Sequence, residues 1–283
     1  MERGNMSARE NEGSRRASLA RKAFPLYGAE FIGSALLVGL GCSFGILAFG
    51  RGSPAGKLVP DVGARRAIAG FLFGSVGALL AISPVGKVSG AHLNPVVTLT
   101  FWLEDRLPGK VAVGYVLAQL AGSTLGALAL RPFGAMGSSV GFGATIPGPA
   151  GPLAALVGET FATFCLVALL LLFLGHPRLR HVTPALFPPL YALLVWLEAP
   201  LSGTSTNPAR TFGPGFVSGE LTGWWVYLLG PLAGTLLAVG LRRAIPATRA
   251  LEVRVAKVFH FSHDAYGIFT AKSSPSHRLA SGQ

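Results

Sequence analysis

The sequence predicts an all-α membrane protein: six transmembrane helices plus two re-entrant half-helices, arranged as an inverted repeat. Three observations predict it. Hydrophobic residues make up 51% of the 283-residue chain and charged residues only 13%, with a mean hydropathy of +0.53, which points away from a soluble domain. Apolar stretches long enough to span a bilayer recur six times. Two short stretches, SGAHLNPVVTLT from Ser89 and SGTSTNPARTFG from Ser202, each place an Asn-Pro pair before a helix-like run too short to cross.

The six spans fall at residues 26–49, 67–86, 111–130, 152–174, 182–201 and 221–241. None reads as a signal peptide, because the first is too long and has no clear cleavage site. Residues 1–23, with Arg15, Arg16, Arg21 and Lys22, read as a disordered basic tail; Glu2, Glu10 and Glu12 argue against a transit peptide. Residues 24–133 form the first three-span repeat, 134–151 a connecting loop on the outer side, 152–244 the second repeat and 245–283 a second tail. The 38 glycines fit this setting, since glycine permits close contact between membrane helices.

A net charge of +12 raises nucleic acid as a partner, and its placement removes the suggestion. With six spans and both termini in the cytoplasm, only Arg51, Lys57, Arg65, Arg66, Arg131 and Arg210 of the 24 basic residues lie outside. That is the positive-inside bias, and it orients the chain in the plasma (inner) membrane. Anionic lipid heads account for the remaining charge. Cys42 and Cys165 lie within spans and read as buried free thiols, with no metal-ligand spacing. No cofactor is expected.

The chain repeats itself. Each half runs span, span, Asn-Pro segment, span, with Glu30 in the first span of one half and Glu159 in the first span of the other. Three spans per half is odd, so the second half enters from the opposite face. Inverted repeats of this kind place their working site at the midplane.

The Asn-Pro segments are the half-helices. Residues 94–103 and 207–217 reach about 15 Å at 1.5 Å per residue, half of a hydrocarbon core about 30 Å thick. Asparagine is a preferred N-cap, and proline suits the first helical position, where its missing N–H had no partner anyway. Backbone entering a half-helix cannot face lipid, so it must line a wet cavity or lie within protein.

These residues carry a resemblance. SGAHLNPVVTLT and SGTSTNPARTFGPG resemble the two signature loops of the aquaporin (major intrinsic protein) family. The likeness covers about residues 24–244 and includes Glu30, Glu159, Ala118-Gln119 and Gly230-Pro231. The departure is Val96, where the family usually has alanine. The resemblance implies an aquaporin-like right-handed bundle and a homotetramer with one pore per subunit.

It also implies roles. Asn94, Pro95 and Val96, with Asn207, Pro208 and Ala209, would form the paired motifs at the pore centre. There the positive ends of both half-helices repel cations, and the two amides donate to a passing water and break a proton wire. The carbonyls of Gly90, Ala91 and His92, and of Gly203, Thr204 and Ser205, would supply acceptors along one wall. Glu30 and Glu159 would each prop a loop by accepting backbone N–H bonds, with a proton relay as the alternative. His92 divides evenly between a pore role and packing near the cytoplasmic mouth.

Arg210 would stand in the selectivity filter, excluding cations and donating to neutral solutes. Counting back from each asparagine without gaps gives the other filter positions as Val195, Thr204 and Gly74, with Phe73 in place of Gly74 if the register shifts by one. Only one of the two can face the pore of a helix turning about 100° per residue, and Gly74 is favoured. Water-specific relatives have an aromatic and a histidine where Gly74 and Val195 stand. The wider, less polar opening would admit water and small uncharged solutes: glycerol, urea or neutral metalloid acids. Thr211 lacks the aspartate of glycerol facilitators, and Tyr227-Leu228 is intermediate between water and glycerol channels. The pattern is similar to bacterial channels and the nodulin-like intrinsic proteins of plants.

Gly41/Gly45, Gly70/Gly74, Gly122/Gly126 and Gly230/Gly234 would allow close helix crossings. In the second tail, His260, His263 and Asp264 match no strong metal motif, and a solvated or membrane-surface tail is expected. A passive channel is the expected function. A strictly water-selective channel, a gradient-coupled secondary transporter and a junctional protein of the same fold are the alternatives. An enzyme is not expected, since no nucleophile–base pair lies in the spans.

Overall fold

The computed structural model describes residues 2–269, with side chains from Arg21 onward. Its principal helices among the described residues are α1 (Glu2–Phe49), α2 (Val62–Ile82), α3 (Pro95–Leu103), α4 (Gly109–Leu128), α5 (Gly151–Gly175), α6 (Thr183–Ser202), α7 (Pro208–Ser218) and α8 (Val226–Ala244). Among the described residues, five helical stretches are long and apolar enough to cross a membrane. The sixth expected span is the shorter α8. Residues 221–224 turn around Gly223, at φ +64°, so this helix starts five residues later than its hydropathy suggests. Large apolar side chains face outward along the bundle, among them Leu79, Leu117, Leu153, Phe161 and Leu237. Such a surface belongs in lipid or against another subunit, not in water.

Two expectations about the tails are corrected. The first tail is helical from Glu2, continuous with the first span. Its alanines, arginines and glutamates are good helix formers. A helix already nucleated by a packed span adds one bond per further residue, so the polar segment extends it. The described part of the second tail, residues 245–269, is not wholly solvated, and residues 270–283 lie outside the described residues. Val253, Ala256, Val258, Ile268 and Phe269 are buried, and most of them pack with Ala23, Leu26, Phe101 and Leu107. The start of the first span and the end of the described chain therefore meet at one end of the bundle, called here the terminal end.

The two halves pack alike. α4 lies on α1, α8 lies on α5, and α2 crosses α6. Glycine makes each crossing close. A Cβ on Gly122 or Gly126 would strike the Phe31 or Ala35 carbonyl, and one on Gly234 the Thr160 carbonyl. At the α2–α6 crossing, Gly70 meets the Tyr191 carbonyl and Gly74 the Phe187 carbonyl. Backbone contact of this kind is what small residues at membrane-helix interfaces permit.

The half-helices α3 and α7 start where the Asn-Pro pairs stand. Asn94 and Asn207 are extended N-caps, and Pro95 and Pro208 take the first helical position. With 9 and 11 residues they are about 14 and 16 Å long at 1.5 Å per residue. Beyond α3, Glu104 pairs with Arg242 of α8 at 2.8 Å, tying the terminal ends of the two repeats together.

Candidate functional site

The loops leading into α3 and α7 share one backbone conformation. Ser89 Oγ accepts the Ala91 N–H at 3.2 Å, and Ser202 Oγ accepts the Thr204 N–H at 3.0 Å. Gly90 and Gly203 follow at φ +88° and +81°, a region that suits glycine. Ala91, Leu93, Thr204 and Thr206 also have φ between +51° and +55°. For residues with a Cβ this conformation costs on the order of 1–2 kcal/mol each, so the surroundings must hold it.

Two buried glutamates hold it. Glu30 accepts the N–H of His92 at 3.0 Å and of Leu93 at 2.7 Å. Glu159 accepts the N–H of Ser205 at 2.6 Å and of Thr206 at 2.8 Å. Gln119 and Ser202 each donate a further bond at 2.7 Å, to Glu30 and Glu159 respectively. Two tyrosines at equivalent places complete the support. Tyr115 of α4 donates to the Ser89 carbonyl and Tyr227 of α8 to the Ser202 carbonyl, both at 2.7 Å. Sequence reading misses Tyr115, whose one signal is its equal place in the repeat.

The asparagines join the loops to each other. Asn94 Oδ1 caps α3 through the Val96 N–H at 3.0 Å, and its Nδ2 donates to the Thr206 carbonyl at 2.9 Å. Asn207 Oδ1 caps α7 through Ala209 and Arg210, and its Nδ2 donates to the Leu93 carbonyl at 3.0 Å. The positive ends of two half-helices therefore meet. An amide nitrogen has two hydrogens, so each asparagine keeps one beyond these bonds.

Two cavities flank this junction. The larger, about 320 Å³, lies toward the end opposite the termini and is lined by Phe73, Tyr191, Val195, Thr204 and Arg210 among others. The smaller, about 50 Å³, is bounded by Gly74, His92, Asn94, Asn207 and Val258. Phe73 and Tyr191 line both, their ring centroids 5.3 Å apart. Arg210 Nη1 donates to the Gly143 carbonyl at 2.8 Å, and the guanidinium lies 6.0 Å from the Phe73 ring centre.

Gly74, favoured from the sequence as the residue beside Arg210, does not line the cavity that holds Arg210. Gly74 belongs to the stripe that packs on α6, where the Phe187 carbonyl leaves no room for a side chain, and it touches only the smaller cavity. One residue earlier on the helix, Phe73 turns toward Arg210 instead. The gapless count missed this because contact with α6, not distance from Asn94, sets the rotation of α2.

Glu198 is a third ionisable residue within the spans. Thr204 Oγ1 donates to Glu198, a buried acid of α6 packed on Gly158. Its signal, an ionisable residue inside an apolar span, is the one that singles out Glu30 and Glu159.

At the terminal end the tail meets the loop. The Val258 N–H donates to the Gly90 carbonyl at 3.0 Å. The His92 ring stacks on Phe101, with Nδ1 against Thr98 at 3.2 Å and Nε2 against the Ala256 carbonyl at 3.0 Å. Lys257 is fully buried and donates to the Lys87 carbonyl at 2.6 Å. Burial lowers its pKa to about 8, opposed by the negative charge of Asp264. His260 bonds the Ile82 carbonyl, and Asp264 accepts the N–H groups of Ile268 and Phe269.

Comparison with known proteins gives one consistent answer. The family model described as "Major intrinsic protein" matches residues 17–241. Aquaporin NIP1-4 of Oryza sativa subsp. japonica is 37% identical over 151 residues, 53% of this chain and 55% of that protein. Aquaporin TIP2-1 of Zea mays is 34% identical over 228 residues, 78% of this chain and 87% of that one. The alignment with the first thus spans about half of that relative's length. Among solved structures, the aquaglyceroporin from Plasmodium falciparum superposes with a TM-score of 0.64 at 21% identity, covering 80% of this chain and 99% of that one. That likeness shows the fold.

Proposed function

The chain belongs to the major intrinsic protein family, and on that premise we propose that it is a passive transmembrane channel for water and small uncharged solutes that excludes protons and ions. The observation that carries the reading is the crossed pair of asparagine amides between two half-helix N-termini, next to a cavity that holds Arg210. A water at this junction meets amide donors from both sides, so it cannot also accept from the next water in line, and a proton wire is interrupted. The half-helix ends and the Arg210 guanidinium disfavour cations.

In the filter, Phe73, Val195, Thr204 and Arg210 surround the larger cavity. Val195 supplies no hydrogen bond, so one wall is apolar. That favours slim neutral solutes such as glycerol beside water. Phe73 beside Arg210 favours the runner-up, a strictly water-selective pore, because an aromatic ring takes up the width that Gly74 would have left. Both termini face the cytoplasm in this reading, and four copies associate with one pore each.

Stopped-flow light scattering on proteoliposomes tests it, with empty vesicles and Arg210→Ala as comparisons. Fast water flux with glycerol or urea flux supports the broader channel. Fast water flux alone supports the water-selective one. Solute flux that follows a proton or sodium gradient would replace both with a coupled transporter.

A further inference from the structure

The mouth of the bundle at the terminal end is a docking site, and its occupant is a segment of the same chain. Residues 253–258 run across the loop that ends in Asn94. They use groups that an open pore would offer to its solute. The Gly90 carbonyl accepts the Val258 N–H, and the His92 ring is engaged by the Ala256 carbonyl. The Val258 side chain, 2% exposed, packs with Ala91 and Leu93 and forms part of the wall of the smaller cavity, with Asn94 and Asn207.

The segment is anchored rather than draped. Lys257 donates to the Lys87 carbonyl, with its ammonium 4.5 Å from the Phe269 ring centre. The Phe269 carbonyl accepts the Ala256 N–H at 3.3 Å, which folds residues 256–269 back on themselves. Arg242 donates to the Leu251 carbonyl at 2.7 Å, and His260 to the Ile82 carbonyl. Yet this segment lies outside every spanning helix, and most of its bonds run to backbone carbonyls that water satisfies equally well. Release costs little in hydrogen bonds and mainly exposes Val253, Ala256, Val258, Ile268 and Phe269. That combination suits a plug better than a permanent wall.

We propose that residues 253–269 form an autoinhibitory plug that closes the pore at its terminal end by seating Val258 beside Ala91 and Leu93. This rests on the channel reading above. Docked and released tails are two states, and whatever favours the released one opens the channel.

The test uses the full chain in proteoliposomes. Val258→Asp puts a charge into the apolar seat, and a second variant replaces Val253, Val258 and Phe269 by Ser. Trypsin cleavage after Lys257, buried when docked, reports release, and circular dichroism reports folding. The expected result is cleavage at Lys257 together with a rise in water permeability of about tenfold, the population shift expected for losing one buried valine. Release with water permeability equal to the unmodified chain would overturn the plug and leave the channel standing. Lys257 protected in both variants would show a fixed wall, and also overturn it. Release with no flux above empty vesicles would overturn the channel reading along with the plug.

Discussion

Asn94 and Asn207 each cap their own half-helix and donate to a carbonyl of the other's loop, at 2.9 Å to Thr206 and 3.0 Å to Leu93. One residue type thus starts both half-helices and joins them.

Asn207→Ala removes a cap worth about 1 kcal/mol and leaves the buried Leu93 carbonyl without its donor, a further loss of about 1–3 kcal/mol. Asn94→Ala should cost a similar amount, by symmetry. Asn207→Asp keeps the cap and loses only the donor, so it should unfold later than the alanine variant while admitting cations. Thermal unfolding in detergent and cation flux in vesicles check both statements. Equal stability of Asp and Ala variants would mean that the cap contributes nothing.

Glu30 and Glu159 stand in matching networks, and Glu→Gln at either should destabilise by about 1–3 kcal/mol, since one of two loop N–H groups then faces an amide donor. The unmodified channel should conduct no protons across a pH gradient. A proton flux abolished by either variant would make the pair a relay instead of a support.

Phe73 and Gly74, one residue apart, should behave oppositely. Phe73→Ala empties the space beside Arg210 and should raise glycerol and urea flux. Gly74→Ala sets a methyl against the α6 backbone and should cost about 1–3 kcal/mol as overpacking, with no direct effect on selectivity. A selectivity change without lost stability in Gly74→Ala would show that α2 is rotated differently.

Glu198 accepts the Thr204 hydroxyl hydrogen, so Glu198→Ala should free that donor for permeating solutes. The expected gain is about fivefold in glycerol flux relative to water, the equivalent of one ordinary hydrogen bond of about 1 kcal/mol. The same change in a Thr204→Val background should have no such effect. An equal gain with and without the hydroxyl would assign Glu198 a role in packing alone.

Much of this protein was legible in the chain itself, because membrane solvation leaves few options. Apolar runs of span length are read as helices, and two Asn-Pro pairs at matching places, each before a run of half that length, are read as half-helix starts. Repetition of the pattern, with Glu30 and Glu159 in matching spans, carried the inverted repeat. The buried glutamates could be placed beneath their loops for the same reason: a lone carboxylate among apolar residues needs donors, and strained loops have N–H groups to give.

Other features were decided only by tertiary contact. Whether Phe73 or Gly74 faces Arg210 depends on where the α6 backbone presses on α2, and distance along the chain does not encode that rotation. Glu198 gains its meaning from Thr204, and Tyr115 from the Ser89 carbonyl, partners that only folding brings near. The second tail is the largest such case. Its short apolar residues, interrupted by lysine and histidine, have no period of their own. They find burial only because the two repeats leave a seat at the terminal end, where the Gly90 and Lys87 carbonyls accept from Val258 and Lys257 and Ala91 and Leu93 form an apolar wall.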